Sequence, residues 1–334
     1  MTDLFTWLID TTIIVSLLLG AVLLLRGTVA RLTNVRWAYL LWAVPVVPIG
    51  LRLLPEQIRA VPASLADAAG AGGWTPSIGI LGDAWLTSPL AGALLVLWAA
   101  GFAIALARLL GEHHSARREF LTRARPLAAD DRQRLARYCD RMGIFPTVDC
   151  VEVAGLEGPA LLGLFRPTLL LPKGFMETSE QPELVIRHEL VHLRRRDPFF
   201  NALAALLRCV FWFNPLIHLA ERHFRDDQEV ACDRAVMVDA SGDERYGYGR
   251  ALVRSVLPRP TAVTGFMATE TALKRRLKLL AHHRVDLARE AAGAFAVVAL
   301  LLGGIAFGVD APVVAIDWTA PLTFPTPLPG TCGG

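Results

Sequence analysis

The chain has 334 residues, of which 53% are hydrophobic and 19% charged, with a formal net charge of +3. That composition is too apolar for an ordinary soluble protein of this size, so the excess belongs in lipid. The small basic surplus is accounted for by the flanks of apolar segments, and direct binding of nucleic acid is not expected.

A hydrocarbon core of about 30 Å needs about 20 largely apolar residues per helix. Four blocks qualify, at about residues 4–25, 37–54, 85–106 and 291–309. The first is followed by Arg26 rather than preceded by a basic run, the reverse of a cleaved signal peptide, and reads as a retained helix. Pro45 and Pro48 fall in the second, where neighbouring helices can satisfy the carbonyls they free.

Orientation follows the positive-inside rule. Arg26, Arg31 and Arg36 occupy the first connection, and Arg108, Arg117, Arg118, Arg123 and Arg125 follow the third block. Both stretches are expected in the cytoplasm. The connection at about 55–84 and the tail after the fourth block are poor in Lys and Arg and belong outside. The expected arrangement is therefore a multi-pass α-helical membrane protein with four transmembrane helices. Residues 1–109 carry three of them with an external loop, 110–290 a cytoplasmic domain, 291–309 the fourth helix, and 310–334 a short external Pro-rich tail. Both termini lie outside. Cys139, Cys150, Cys209 and Cys232 fall in the cytoplasmic region without a C-x-x-C pair, in keeping with a reducing compartment. Cys332 stands alone in the tail, and a homodimer is one arrangement the sequence allows.

Within the cytoplasmic region, residues 112–143 have helical spacing and predict one or two helices leading out of the membrane. "TVDCVEVAGLEGPALLGLFRPTLLLPKGF" follows, with β-branched residues, Gly155, Gly158 and Gly163, and X-Pro steps at Pro159 and Pro167. It predicts short strands joined by tight turns, "TLLLP" being one strand. From Glu180 onward the pattern is helical, so the domain is α+β.

"RHELVHLRRRD", residues 187–197, places His188 and His192 four apart on one face of a helix, where two imidazoles can reach a single zinc ion. Glu189 then lies beside the open coordination position, placed to take a proton from water. A third histidine six positions on is excluded because that position is Pro198, and residues 199–220 hold no carboxylate. The next acids are Glu221, and Glu229 with Asp233, again spaced i and i+4. One of that pair could bind metal while the other fixes a histidine tautomer. The alternative is a solvated helix face paired with Arg225 and Arg234. The residues leave this choice open, with Glu221 as a rival ligand. His218 and His223 read as surface or interface histidines. The apolar block at residues 199–220 predicts one buried or membrane-lying helix rather than a fifth span, because a crossing would put His192 and Glu229 on opposite sides of the bilayer. Asp197 is its expected cap, with Pro198 in its first turn.

These segments together, "GLFRPTLLLP", "RHELVHLRRRD" and "FWFNPLIHLAERHFRDDQEVACDRAV", closely resemble the BlaR/MecR-type membrane zinc metallopeptidases, a family of antibiotic-sensing transducers found in bacterial cell membranes. The resemblance implies a gluzincin-like cytoplasmic protease domain holding one Zn2+ per chain. His188, His192 and Glu229 become its ligands, Glu189 the general base and Asp233 the residue orienting a ligand histidine. It further implies that the strand Thr168, Leu169, Leu170 and Leu171 pairs edge-on with an extended substrate. The substrate class would be a cytoplasmic protein or peptide, a winged-helix transcriptional repressor among them. Arg275 and Arg276 are read as a basic anchor at the membrane face in preference to a self-cleavage site. His218, His223, Tyr246 and Tyr248 are the candidates for stabilising the oxyanion. The antibiotic-sensing members carry a large extracellular penicillin-binding domain, which residues 310–334 do not resemble, so covalent β-lactam sensing by this chain is not expected. A processing or quality-control protease, and a non-proteolytic receptor or scaffold, are the alternative functions.

Overall fold

The structure, a computed structural model, describes residues 2–52, 89–144, 148–238, 240–256, 273–274, 276–277 and 287–308. Helix α1 (Thr2–Leu32) and a second long helix, Pro89–Thr122, follow the first and third apolar blocks. Both are long and apolar enough to cross a membrane, their most apolar 18-residue stretches, within Trp7–Leu32 and Pro89–Thr122, having mean hydropathies of 2.5 and 2.3. Large apolar side chains on their outer faces, Leu17, Leu24, Val96, Leu97 and Ile104, are exposed, as lipid-facing positions are. The hydroxyls of Thr12 and Ser16 donate to the carbonyls of Leu8 and Thr12, so α1 hides its own polar groups.

The second apolar block is not one helix. It divides into α2 (Val35–Leu40), whose Asn34 cap accepts from the Arg36 N–H, and α3 (Ala43–Arg52). Pro45 has no N–H to give the Leu41 carbonyl and its ring would strike it, so the helix stops and restarts around Leu41 and Trp42. Pro89–Thr122 is α4. The predicted loop at 55–84 and the tail at 310–334, with Cys332, lie outside the described residues.

The stretch expected to remain helical up to Gly143 is interrupted by a strand, β1 (Ala124–Pro126), before α5 (Ala129–Arg141). Pro126 ends helical continuation and biases Arg125 towards extended backbone. β1 pairs antiparallel with β2 (Asp149–Val153), which pairs parallel with β4 (Thr168–Pro172), and β3 (Ala160–Leu162) closes the sheet antiparallel to β4. The β3–β4 turn needs glycine: Gly163 has φ +99, and a Cβ there would meet the Arg166 carbonyl oxygen at 2.7 Å.

After the single turn α6 (Phe175–Thr178) come α7 (Pro182–Arg194), α8 (Asp197–Val210), α9 (Pro215–Met237) and α10 (Gly242–Val256), and the last block forms α11 (Leu287–Gly308). The apolar block expected as one helix is thus two. Asn214 caps α9, accepting from the Leu216 N–H at 3.0 Å, and Pro215 starts it without needing an N–H. Asp197 is also not the cap of α8. That position falls to Arg196, left-handed at φ 59, and Asp197 is already in the first turn.

Three cores fix the site. Leu169 and Leu171 of β4 bury against Ile186 and Leu190 of α7, each such side chain contributing about 2 kcal/mol. Leu184 and Val191, on another face of α7, pack with Cys232 and Val236 of α9 and Tyr248 and Leu252 of α10. The third core joins Val15, Leu19 and Val22 of α1 to Leu41, Trp42, Phe211, Ile217, Ala220 and Val297. α9 therefore belongs both to the core built on the apolar helices and to the core it shares with α7 and α10.

Candidate metal centre

With both sides of α7 packed against the sheet and against α9 and α10, its remaining face presents His188 and His192 one turn apart, 7% and 9% exposed. Their rings meet edge to face, centroids 4.7 Å apart. α9 brings Glu229 across them. The His188 Nε2 to His192 Nε2 distance is 3.1 Å, and the two carboxylate oxygens of Glu229 lie 3.3 Å from His188 Nε2 and 3.4 Å from His192 Nε2. Donors bound tetrahedrally at about 2.1 Å sit about 3.4 Å from one another. Two imidazole nitrogens and a carboxylate thus have the chemistry and the spacing of three corners around a zinc-sized ion. Glu221, the rival, is elsewhere, ion-paired with Arg208 and Arg225 at 2.9 and 3.0 Å. Arg234, the other arginine of the solvated-face alternative, pairs with Glu290.

Each imidazole is held from behind. His192 Nδ1 lies 2.7 Å from Asp197 Oδ2. A carboxylate only accepts, so the proton is on Nδ1 and Nε2 is turned to the centre. His188 Nδ1 lies 2.8 Å from the Tyr248 hydroxyl, which donates to Asp233 Oδ1 at 2.7 Å. Asp233 Oδ1 is itself 3.3 Å from His188 Nδ1. The guanidinium of Arg276 clamps Asp233 at 2.6 and 2.8 Å and reaches Glu229 Oε2 at 3.3 Å. Arg276 is therefore turned into the centre, not outward as a basic anchor, and Arg275 lies outside the described residues. Cys232 fills the floor: its thiol donates to the His188 carbonyl at 3.3 Å, with Sγ within 4.8 Å of both imidazoles.

Burial opposes charge on His192, and Asp197, Cys232 and Glu229 around the ring together outweigh it, pushing the imidazole up to about 11. Burial would likewise raise Glu229, but hydrogen bonds from the two histidines hold its carboxyl well below the usual range. Glu189 is the opposite case: burial pushes its carboxyl up, only partly opposed by the nearby histidines.

Of the residues the sequence singled out, the fold gathers His188, His192, Glu229 and Asp233, with Glu189 next in the helix. It does not offer Thr168, Leu169, Leu170 and Leu171 as a docking edge. β4 is interior, bonded to β2 along its whole length and to β3 on the other side. β3 is the edge strand next to it. Tyr248 is 1% exposed and committed to His188 and Asp233, so it does not face a substrate. His218 Nε2 gives its proton to the Trp212 carbonyl, His223 meets Arg26, and Tyr246 is 70% exposed. Asp197, Tyr248 in its buried role, and Arg276 escaped sequence reasoning. Only for Asp197 did the sequence hold a signal, an acid just past the end of the histidine helix.

The chain thus combines two helices of membrane-spanning length with a buried cluster of two imidazoles and a carboxylate. Residues 6–280 match the profile of the BlaR1 peptidase M56 family, Peptidase_M56, and the chain belongs to that family. It is similar to the "Regulatory protein BlaR1" of Bacillus licheniformis, 29% identical over an aligned stretch of 167 residues that covers 48% of this chain and 28% of that protein. The "Methicillin resistance mecR1 protein" of Staphylococcus aureus is 27% identical over 135 residues, 38% of this chain and 23% of that one. The matches thus span about a quarter of the length of these relatives.

Proposed function

We propose that the chain is a zinc endopeptidase of signal transduction, spanning a bacterial cell membrane four times and cleaving a cytoplasmic protein, with a transcriptional repressor as the substrate class. The observation that carries the peptidase reading is the convergence of His188 Nε2, His192 Nε2 and the Glu229 carboxylate within 3.1 to 3.4 Å of one another. The signalling reading rests on the family and on relatives named for regulation and for methicillin resistance.

His188, His192 and Glu229 would hold the zinc, Asp197 fixing the second imidazole and Asp233 with Tyr248 the first. Bound there, the metal supplies a Lewis acid for the scissile carbonyl and acidifies the attacking water. Glu189 takes the proton of that water as it attacks and returns it to the leaving nitrogen. Its raised affinity for a proton suits both transfers. An extended substrate docks along β3, whose outer edge is unpaired among the described residues and which packs against α7.

The test is Glu189→Gln in the intact chain. Cellular protein termini generated by the parent should disappear in the variant, while zinc content stays the same. Unchanged termini would remove the proteolytic reading, and lack of zinc in the parent would remove the metal reading. A repressor fragment among the lost termini identifies the signalling substrate.

A further inference from the structure

The turn between α8 and α9 sits beside the middle of two apolar helices, not beside their charged ends. Asn214 Nδ2 donates to Ser16 Oγ of α1 at 2.8 Å. The Trp98 indole N–H of α4 donates to the Val210 carbonyl at 2.9 Å, and Trp212 donates back to the Trp98 carbonyl at 3.3 Å. The Trp212 ring occupies the space beside Gly101 that any side chain there would need. At 1.5 Å per residue, Ser16 lies about 15 Å from Arg26, and Trp98 about 15 Å from Arg108, the first charges beyond each apolar run. Half of a hydrocarbon core is also about 15 Å. Two separate helices therefore assign the turn the same depth.

The alignment continues upward. α9 runs parallel to α1, so that Arg26 meets His223 at 2.9 Å and Asp227 at 3.0 Å near the charged end. α8, about 20 Å long, is long enough to climb from the turn to that level.

We propose that α8, the turn and the first half of α9 form a re-entrant hairpin. It enters the bilayer from the face bearing Arg26 and Arg108, its tip rests at mid-depth, and lipid acyl chains cover its outer side. Non-helical backbone survives at that depth only where protein satisfies its polar groups, and in the turn the following groups find partners. Phe211 N–H donates to Leu207 O, Asn214 N–H to Phe211 O, and Leu216 N–H to the Asn214 side chain. Val210 O accepts from Trp98 and Trp212 O from His218. At this depth Arg208 Nε and Glu221 Oε2 lie 2.9 Å apart across the hairpin, and the exposed Arg222, one residue nearer the charged end, has a stem long enough to carry its charge towards the headgroups. Phe199, Phe200, Leu206, Phe213 and Leu219 are left between 43% and 53% exposed, a face that suits hydrocarbon rather than water. One consequence is that the metal centre, a short step beyond Asp227 on α9, stands at the membrane surface.

The experiment needs no peptide cleavage. Full-length chain with its native cysteines replaced receives Phe199→Cys, Leu206→Cys or Phe213→Cys, each nitroxide-labelled in lipid nanodiscs. Leu97→Cys serves as the lipid reference and Val238→Cys as the water reference. Collisions with a soluble nickel chelate should be lost at 213 as at 97, and should recover through 206 to 199. Nickel access at 213 equal to that at 238 overturns the hairpin. Equal intermediate access at 199, 206 and 213, as for a helix lying flat at headgroup level, overturns it as well. A second measurement uses the unsubstituted chain with lipids carrying a diazirine at the acyl terminus. Cross-links should map to the segment from 206 to 213, and their confinement to α1 and α4 would count against the proposal.

Discussion

Asp197 accepts the Nδ1 proton of His192 at 2.7 Å from the far side of a helix break. The chain leaves α7, turns through Arg196 in the left-handed region at φ 59, and comes back so that the first side chain of α8 faces the last imidazole of α7. The same carboxylate receives the Tyr39 hydroxyl at 3.2 Å. Removing it should release the ring. Asp197→Ala is expected to weaken zinc binding about 10- to 100-fold. Competition against a chromophoric chelator measures this, and an affinity equal to the parent's would refute it.

The turn itself is testable. Arg196→Gly suits the left-handed backbone and should leave zinc affinity intact. Arg196→Val places a β-branched residue there, at about 1–2 kcal/mol, and should lower both the unfolding midpoint and the zinc affinity. Denaturant unfolding together with chelator competition separates the two variants.

Tyr248 is buried with its hydroxyl between His188 Nδ1 and Asp233. Tyr248→Phe keeps the ring and deletes the bridge, so stability should fall by about 1–3 kcal/mol. Zinc affinity should fall as well. If the variant loses cleavage at undiminished zinc affinity, the hydroxyl acts on substrate and the bridging role is wrong.

Arg276 balances an Asp233 side chain that is 0% exposed. Arg276→Met leaves that carboxylate without its cation and should destabilise the protein by about 3 kcal/mol. Arg276→Lys restores charge but not the two-pronged contact, and should recover only part of the loss. Thermal unfolding of metal-free protein in detergent gives the comparison.

The pairing of residues within each helix of the centre was legible because its logic is local. Helical periodicity alone puts His188 beside His192 and Glu229 beside Asp233, and the family resemblance chose Glu229 over Glu221. The second apolar block, the strand at Ala124–Pro126 and the split between α8 and α9 were misjudged. In each case a proline or an Asn-Pro step overrode an apolar or helical average. The docking strand was misjudged for a different reason. "TLLLP" declares a buried strand, but whether a strand is at the edge depends on its neighbours, and β2 and β3 take both sides of β4.

By itself, then, the sequence determined the apolar segments, the histidine helix and the acid pair, since each depends on periodicity within one element. Only the tertiary structure decided that Asp197 and Tyr248 stand behind the imidazoles, that Arg276 comes back to Asp233, and that Asn214 reaches Ser16 in the middle of α1. Those contacts join residues far apart in the chain or across a helix break, where spacing along the sequence carries no information about direction in space.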